Sequence, residues 1–202
     1  MMLSEPRTLL MLLCLLPATH TAADILSYNN IINEPTPSRY SICYNHSCAT
    51  VVTDSLNDAE WREVTAPLRT PASTAAGERA AIARSMAIFE TVIGGHTGTS
   101  LDKGRNLAGF GLPGQLDCID ESTNTTTYLR LLEQDGLLQH HRVGERATRF
   151  GLFVGMPHST AVIEESGSGI RYVVDSWFYD NGLPPHIVRL EDWRAGLDPD
   201  RD

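Results

Sequence analysis

Apolar positions along the chain follow a helical repeat in its first half and an alternating one near its end. Ile82, Met86, Phe89 and Ile93 fall at i, i+4, i+7 and i+11, one face of a 3.6-residue period. That spacing predicts a helix over residues 78–93, ended by Gly94 and Gly95. A second helix is predicted over 118–135, with Asp117 placed to cap its start and Gly136 just past its end. Leu56, Ala59 and Val64, with Trp61 nearby, give a shorter helical pattern over 54–64. Strand-like runs occupy 40–44 and 48–52, on either side of an Asn45-His46-Ser47 turn, and then 149–154, 159–164 and 170–178. The last two are joined by Ser166-Gly167-Ser168-Gly169. Residues 24–40 read as an extended lead-in, 70–76 as a linker-like loop and 96–114 as a Gly-rich surface loop. Pro184-Pro185 and Trp193 fall in a C-terminal tail. Helices ahead of an antiparallel meander predict an α+β fold, N-terminal helices packed on an antiparallel sheet. No internal repeat is present.

Residues 1–23 have a different character. Arg7 precedes the apolar run from Leu9 to Leu16, Pro17 ends it, and Thr21-Ala22-Ala23 offers small residues before Asp24. This is the layout of a secretory signal peptide, and its run is well short of the roughly 18–20 residues of a spanning helix. Glu5 within the n-region leaves a buried N-terminal helix as the alternative. The expected organisation is a signal peptide at 1–23, a lead-in with a small hairpin at 24–77, an α+β core at 78–196 and a flexible tail at 197–202. The expected location is secreted or periplasmic, with no membrane span in the mature chain.

Composition narrows the function. With 42% hydrophobic and 20% charged residues the chain is too apolar for a disordered one, and 202 residues can bury a core in one domain. A net charge of -9 argues against nucleic acid as partner, because phosphate contacts need clustered Lys and Arg. The glycines of 96–114 lack the GxxxxGK[ST] spacing of a phosphate loop.

Cysteine count changes the picture more. Of four cysteines, Cys14 leaves with the signal. Cys43 and Cys48 lie five residues apart across the predicted turn, which suits a disulfide closing a small hairpin; the alternative is two small buried residues. Cys118 is then the odd cysteine of an exported protein, which flags a reactive thiol or an intermolecular bridge. A helix start favours a thiolate, since the first-turn N–H groups stabilise negative charge, but Asp117, Asp120 and Glu121 oppose it. A cationic partner is required. His158 heads one predicted strand and Asp175 sits in the next, within Tyr172-Val173-Val174-Asp175-Ser176-Trp177. The hairpin between them brings His158 and Asp175 close to opposite each other, so that Asp175 holds one imidazole nitrogen and the other faces the thiol.

The order Cys-helix, His-strand, Asp-strand resembles the transglutaminase-like superfamily of papain-like cysteine enzymes, closest to the bacterial periplasmic transglutaminase-like cysteine proteinases. The resemblance spans residues 78–180, and Asp117-Cys118-Ile119-Asp120 matches the bacterial branch in its acidic residue two places after the cysteine. It implies Cys118 as nucleophile, His158 as general base and Asp175 as the residue orienting His158. The Cys118 N–H and Gln115 are candidates for oxyanion stabilisation, and Trp177 for peptide binding. The hydroxyl-rich run from Thr123 to Thr127 departs from the family, which carries apolar and aromatic residues there. The implied activity is acyl transfer on amide bonds of a peptide or protein substrate, without cofactor, by hydrolysis or transamidation. The alternative is a secreted, non-catalytic module of the same fold that binds a peptide or envelope component.

Other constellations are weaker. His140-His141 with His158, Asp175 or His186 lacks zinc-enzyme spacing, and Ser122 lacks a G-x-S-x-G elbow. Asp117, Asp120 and Glu121 are expected to form a solvated acidic helix start in preference to a Ca²⁺ site. Asn45-His46-Ser47 and Asn124-Thr125-Thr126 fit the glycosylation sequon, which matters only in a eukaryotic source.

Overall fold

The computed structural model describes residues 31–106, 109, 111–153 and 156–199. The expected signal peptide lies outside them. The chain opens with a hairpin of β1 (Tyr40–Tyr44) and β2 (Thr50–Asp54), followed by α1 (Asp58–Thr65) and α2 (Ala75–Thr97). Next come α3 (Cys118–Gln134) and an antiparallel sheet of β3 (His141–Phe153), β4 (Met156–Glu165), β5 (Arg171–Asp175) and β6 (His186–Arg189), in that spatial order. A short α4 (Leu190–Arg194) closes the chain. The fold is α+β with antiparallel sheets, and no helix among the described residues is long and apolar enough to cross a membrane.

The termini of α1 and α3 follow local chemistry. Asn57 and Asp117 each accept from two first-turn N–H groups, and Glu60 and Asp120 reach back to the cap backbone, completing capping boxes. Helix α2 departs from expectation. It does not stop at Gly94-Gly95 but continues to Thr97 and ends at Gly98, whose φ of 78° is left-handed. Gly94 serves close packing instead, since a Cβ there would lie 3.0 Å from the Ser100 backbone.

The sheet is larger than the sequence indicates. Strand β3 begins eight residues before the predicted run, while β5 stops at Asp175 and does not continue to Phe178. The predicted tail folds back as β6, which pairs with β5, and as α4. One face of the sheet packs Ala161, Ile163, Tyr172 and Val174 against Phe89, Leu129 and Leu132 of the long helices. The same cluster takes in Tyr40, Ile42 and Val64, so the N-terminal hairpin and α1 share this core. The opposite face packs Val162 and Val173 against Leu190 and Trp193.

Helix α3 runs through the middle of the protein, and this accounts for its hydroxyls. Residues 120–129 are all buried. Thr126 and Thr127 donate to the carbonyls of Ser122 and Thr123 at 2.7 and 3.1 Å, and Arg146 donates to Thr123 Oγ1. Asn124 bonds both backbone groups of Cys43 at 2.8 Å, so its carboxamide is committed to the core and the sequon there is not a surface site. Such polar positions are stable because every donor finds a partner.

Candidate active site

Cys118 is the first residue of α3 and is half-buried. Strand β5 pairs with β4 only as far as Ala161. Cys118 lies against the stretch of β4 that β5 leaves uncovered, where its thiol donates to the Pro157 carbonyl at 3.9 Å and the Ser159 N–H points at the sulfur. Those two backbone groups flank His158.

His158 is buried, and its Nε2 lies 2.7 Å from Asp175 Oδ2. The pair forms by a different register from the expected one. Ala161 is opposite Val174, so Asp175 sits diagonally from His158 across the hairpin. Both side chains emerge on the face that carries Val162, Val173 and Trp193, where diagonal neighbours remain in reach. The imidazole is enclosed by Trp177, Phe178 and Trp193, with ring centroids 4.8, 5.5 and 5.6 Å away. The nitrogen not committed to Asp175 is Nδ1.

The thiol environment differs from the expected one. Burial pushes the Cys118 thiol up to about 12, and the charges of Asp117 and Asp175 add to this against the pull of the Ser159 N–H. The helix start does not compensate, because the Asp117 carboxylate already takes the N–H groups of Ile119 and Asp120 at 3.0 Å. The Cys118 N–H is left free of that cap and turns to its own sulfur.

Gln115 and Trp177 are both near this region but engaged. The Gln115 carboxamide donates to Leu101 O at 2.9 Å and accepts from Asn106, tying it to the loop at 101–106. Trp177 is buried against His158. Of the histidines weighed for zinc, His141 bonds Glu78, His140 bonds Ala72 O and His158 bonds Asp175, while His186 sits opposite Asp175 on β6.

Cys43 and Cys48 are joined in a disulfide, and the loop they close lies against the start of α3. Asn45, His46, Ser47 and Cys48 all have φ between 52° and 68°, an unusual left-handed run for side-chain-bearing residues. That conformation turns successive N–H groups inward as an anion nest. Asp120 accepts from His46 at 2.7 Å and Cys48 at 2.6 Å, and Asp117 accepts from Ser47 at 2.8 Å. Asp120 is therefore fully buried and structural, contrary to the solvated helix start expected from the sequence. Among the described residues, the grouping close enough for a metal is Cys43, Cys48 and Asp120, within 4.8 Å. Its sulfurs are bonded to each other and both Asp120 oxygens hold backbone N–H groups, so the donors do not suit an ion.

A second buried acidic group lies behind Cys118 and was not visible in the sequence. Glu90 of α2, Asp102 and Glu121 of α3 are each at most 5% exposed. Burial pushes Glu90 and Asp102 up to about 7, and Glu121 is raised well above the carboxyl range by burial and by the charges of Glu90 and Asp102. A side-chain hydrogen bond joins Glu121 to Asp102, which in turn accepts the Leu116 N–H at 2.7 Å. Gly104 allows the intervening loop to approach, since a Cβ there would lie 2.5 Å from Phe178 O.

No protein-family model matches the chain, and no curated protein or solved structure matches it.

Proposed function

We propose that the protein is an exported cysteine enzyme of transglutaminase-like type, acting on amide bonds through a thioester. What carries the reading is one observation: His158 Nε2 bonds Asp175 at 2.7 Å while the Cys118 thiol bonds the carbonyl of the residue just before His158. The thiol turns from that carbonyl to the imidazole one residue along, and His158 Nδ1 takes its proton, a rearrangement typical of substrate-free sites. The thiolate attacks the amide carbonyl carbon, and the Cys118 N–H donates to the oxyanion. Collapse expels the amine, which takes the proton from the imidazolium, and water or a second amine resolves the thioester. Asp175 fixes the imidazole tautomer with its proton on Nε2.

Alkylation tests this directly. Burial holds the thiol up to about 12, so rapid alkylation near neutrality requires the imidazole. At pH 6, iodoacetamide is expected to modify Cys118 faster than a free thiol, with the advantage lost in His158→Ala. Equal rates in the two proteins refute the assignment.

A non-catalytic, peptide- or envelope-binding module of the same fold has one observation in its favour: the thiol is pushed up and bonds a carbonyl rather than the imidazole. Slow, His158-independent alkylation combined with retained peptide binding supports that reading instead.

A further inference from the structure

We infer that Trp193 is a positioning residue of the site, holding through its indole N–H the carboxylate that orients His158. The inference rests on the acyl-transfer reading above for its functional meaning, but its geometry is independent of the nucleophile. Trp193 Nε1 donates to Asp175 Oδ2 at 2.8 Å, the same oxygen that holds His158 Nε2 at 2.7 Å. Two donors converging on one carboxylate oxygen fix its rotation, and with it the plane and tautomer of the imidazole. Trp193 is fully buried, and its ring also packs on His158 at 5.6 Å.

The residue is itself anchored. Arg149, which faces His158 across the β3–β4 ladder, donates to the Trp193 carbonyl and stacks its guanidinium 4.4 Å over the indole. Its other nitrogen bonds Asp198. The C-terminal segment is thereby locked onto the sheet face that carries His158 and Asp175. His186, the cross-strand neighbour of Asp175, has its pKa lowered by burial and has no partner on Nε2, so it supplies no competing hydrogen bond there. An apolar tryptophan filling this corner for packing alone does not require its N–H on Asp175; the 2.8 Å bond sets its role apart from Leu190, its neighbour in the same cluster.

Nitrogen and proton resonances provide the test. In the unmutated protein the Trp193 indole N–H resonance is expected far downfield, and Asp175→Asn moves it upfield. An indole resonance indifferent to Asp175→Asn overturns the proposal. Trp193→Phe keeps an aromatic ring and removes the donor. The ¹⁵N shifts of His158 are expected to pass from a single Nε2–H tautomer to a mixture, and Cys118 alkylation at pH 6 to slow about tenfold. Unchanged His158 shifts in a folded Trp193→Phe protein also overturn it. If the shifts respond but alkylation is independent of His158, Trp193 positions the ring as inferred and the acyl-transfer reading fails instead. Should Trp193→Phe not fold, the Asp175→Asn comparison decides.

Discussion

Asp120, two residues after Cys118, and Asp175, whose charge acts on its thiol, are both buried carboxylates, yet they are satisfied by different kinds of donor. Asp120 faces backbone: the N–H groups of His46 and Cys48, with Asp117 N at 3.3 Å. Asp175 faces side chains, the imidazole of His158 and the indole of Trp193. Backbone donors have no protonation state to pass on, so Asp120 fixes the disulfide loop to the helix start and does nothing further. An imidazole can gain or lose a proton, so whatever holds Asp175 also controls the chemistry of His158. Burial of an acid near a nucleophile is thus a poor guide to its role, and the identity of its donors is a better one.

The comparison breaks most readily at Asp120. Asp120→Ala strands buried N–H groups that now bond a carboxylate, and at roughly 1.5–3 kcal/mol per charged hydrogen bond the expected loss is about 4 kcal/mol. Urea unfolding measures it. Asp175→Ala strands two donors where Asp120→Ala strands three, so about 2 kcal/mol is expected, with loss of the His158-dependent alkylation. Equal destabilisation by the two substitutions erases the distinction. The disulfide sharpens the same point from the other side. Its loop is short, so Cys43→Ser with Cys48→Ser removes about 2 kcal/mol, read from the shift in urea midpoint. Four left-handed residues are then held onto α3 through Asp117 and Asp120, and the two substitutions combined with Asp120→Ala should not add independently.

These differences also explain which parts were legible in the sequence. The bounds of α3 were, because a capping aspartate and a terminal glycine are local signals. So were the Cys43–Cys48 bridge, from its spacing across a turn, and the His158–Asp175 pair, from the hairpin between them. Each depends on residues near in sequence. Trp193 was missed because no turn signal links it back to Asp175 as the Ser166–Gly169 turn links Asp175 to His158, and the Pro184-Pro185 stretch gave no sign that the tail returns as β6 and α4. A lone Trp beside Leu190 in a supposed tail was the available signal. Asp120 was misread because nothing local states that a loop seventy residues earlier docks on its helix, and Glu90 was overlooked on the face of a helix read only for its apolar stripe.

Glu90, Asp102 and Glu121 form the third case, acids buried against one another whose donors do not offset the cost of burial. Their folded-state values are raised, to about 7 for Glu90 and Asp102, whereas an unfolded carboxyl titrates near 4. Between those limits the native protein retains protons that the unfolded chain has released. Stability therefore falls as pH climbs from about 4 through 7, by on the order of several kcal/mol, and continues to fall more gently beyond because Glu121 is raised further than its two neighbours. Thermal melts from pH 4 to 8 are expected to show Tm dropping through this window. Glu121→Gln keeps a donor for Asp102, removes one titrating group and flattens the slope. A Tm that rises across the window contradicts the assignment.

The smallest effect expected lies beside that cluster. Lys103 follows Asp102 directly, but its ammonium turns outward to Asp180 at 2.6 Å, with the two side chains 68% and 47% exposed. An exposed pair of long side chains gains little over hydration, so Lys103→Ala should change stability by less than about 0.5 kcal/mol and leave the pH slope intact. Asp180 itself has a second task, since its other oxygen accepts the Gly104 N–H at 3.0 Å. Asp180→Ala should therefore cost more than Lys103→Ala although both delete the same ion pair, and the difference should persist in high salt, where the pair is screened. A loss above about 1 kcal/mol in Lys103→Ala, with a changed pH slope, means that the ammonium compensates the buried acids after all. The contrast between donors then extends one residue further into the loop than the hydrogen bonds indicate.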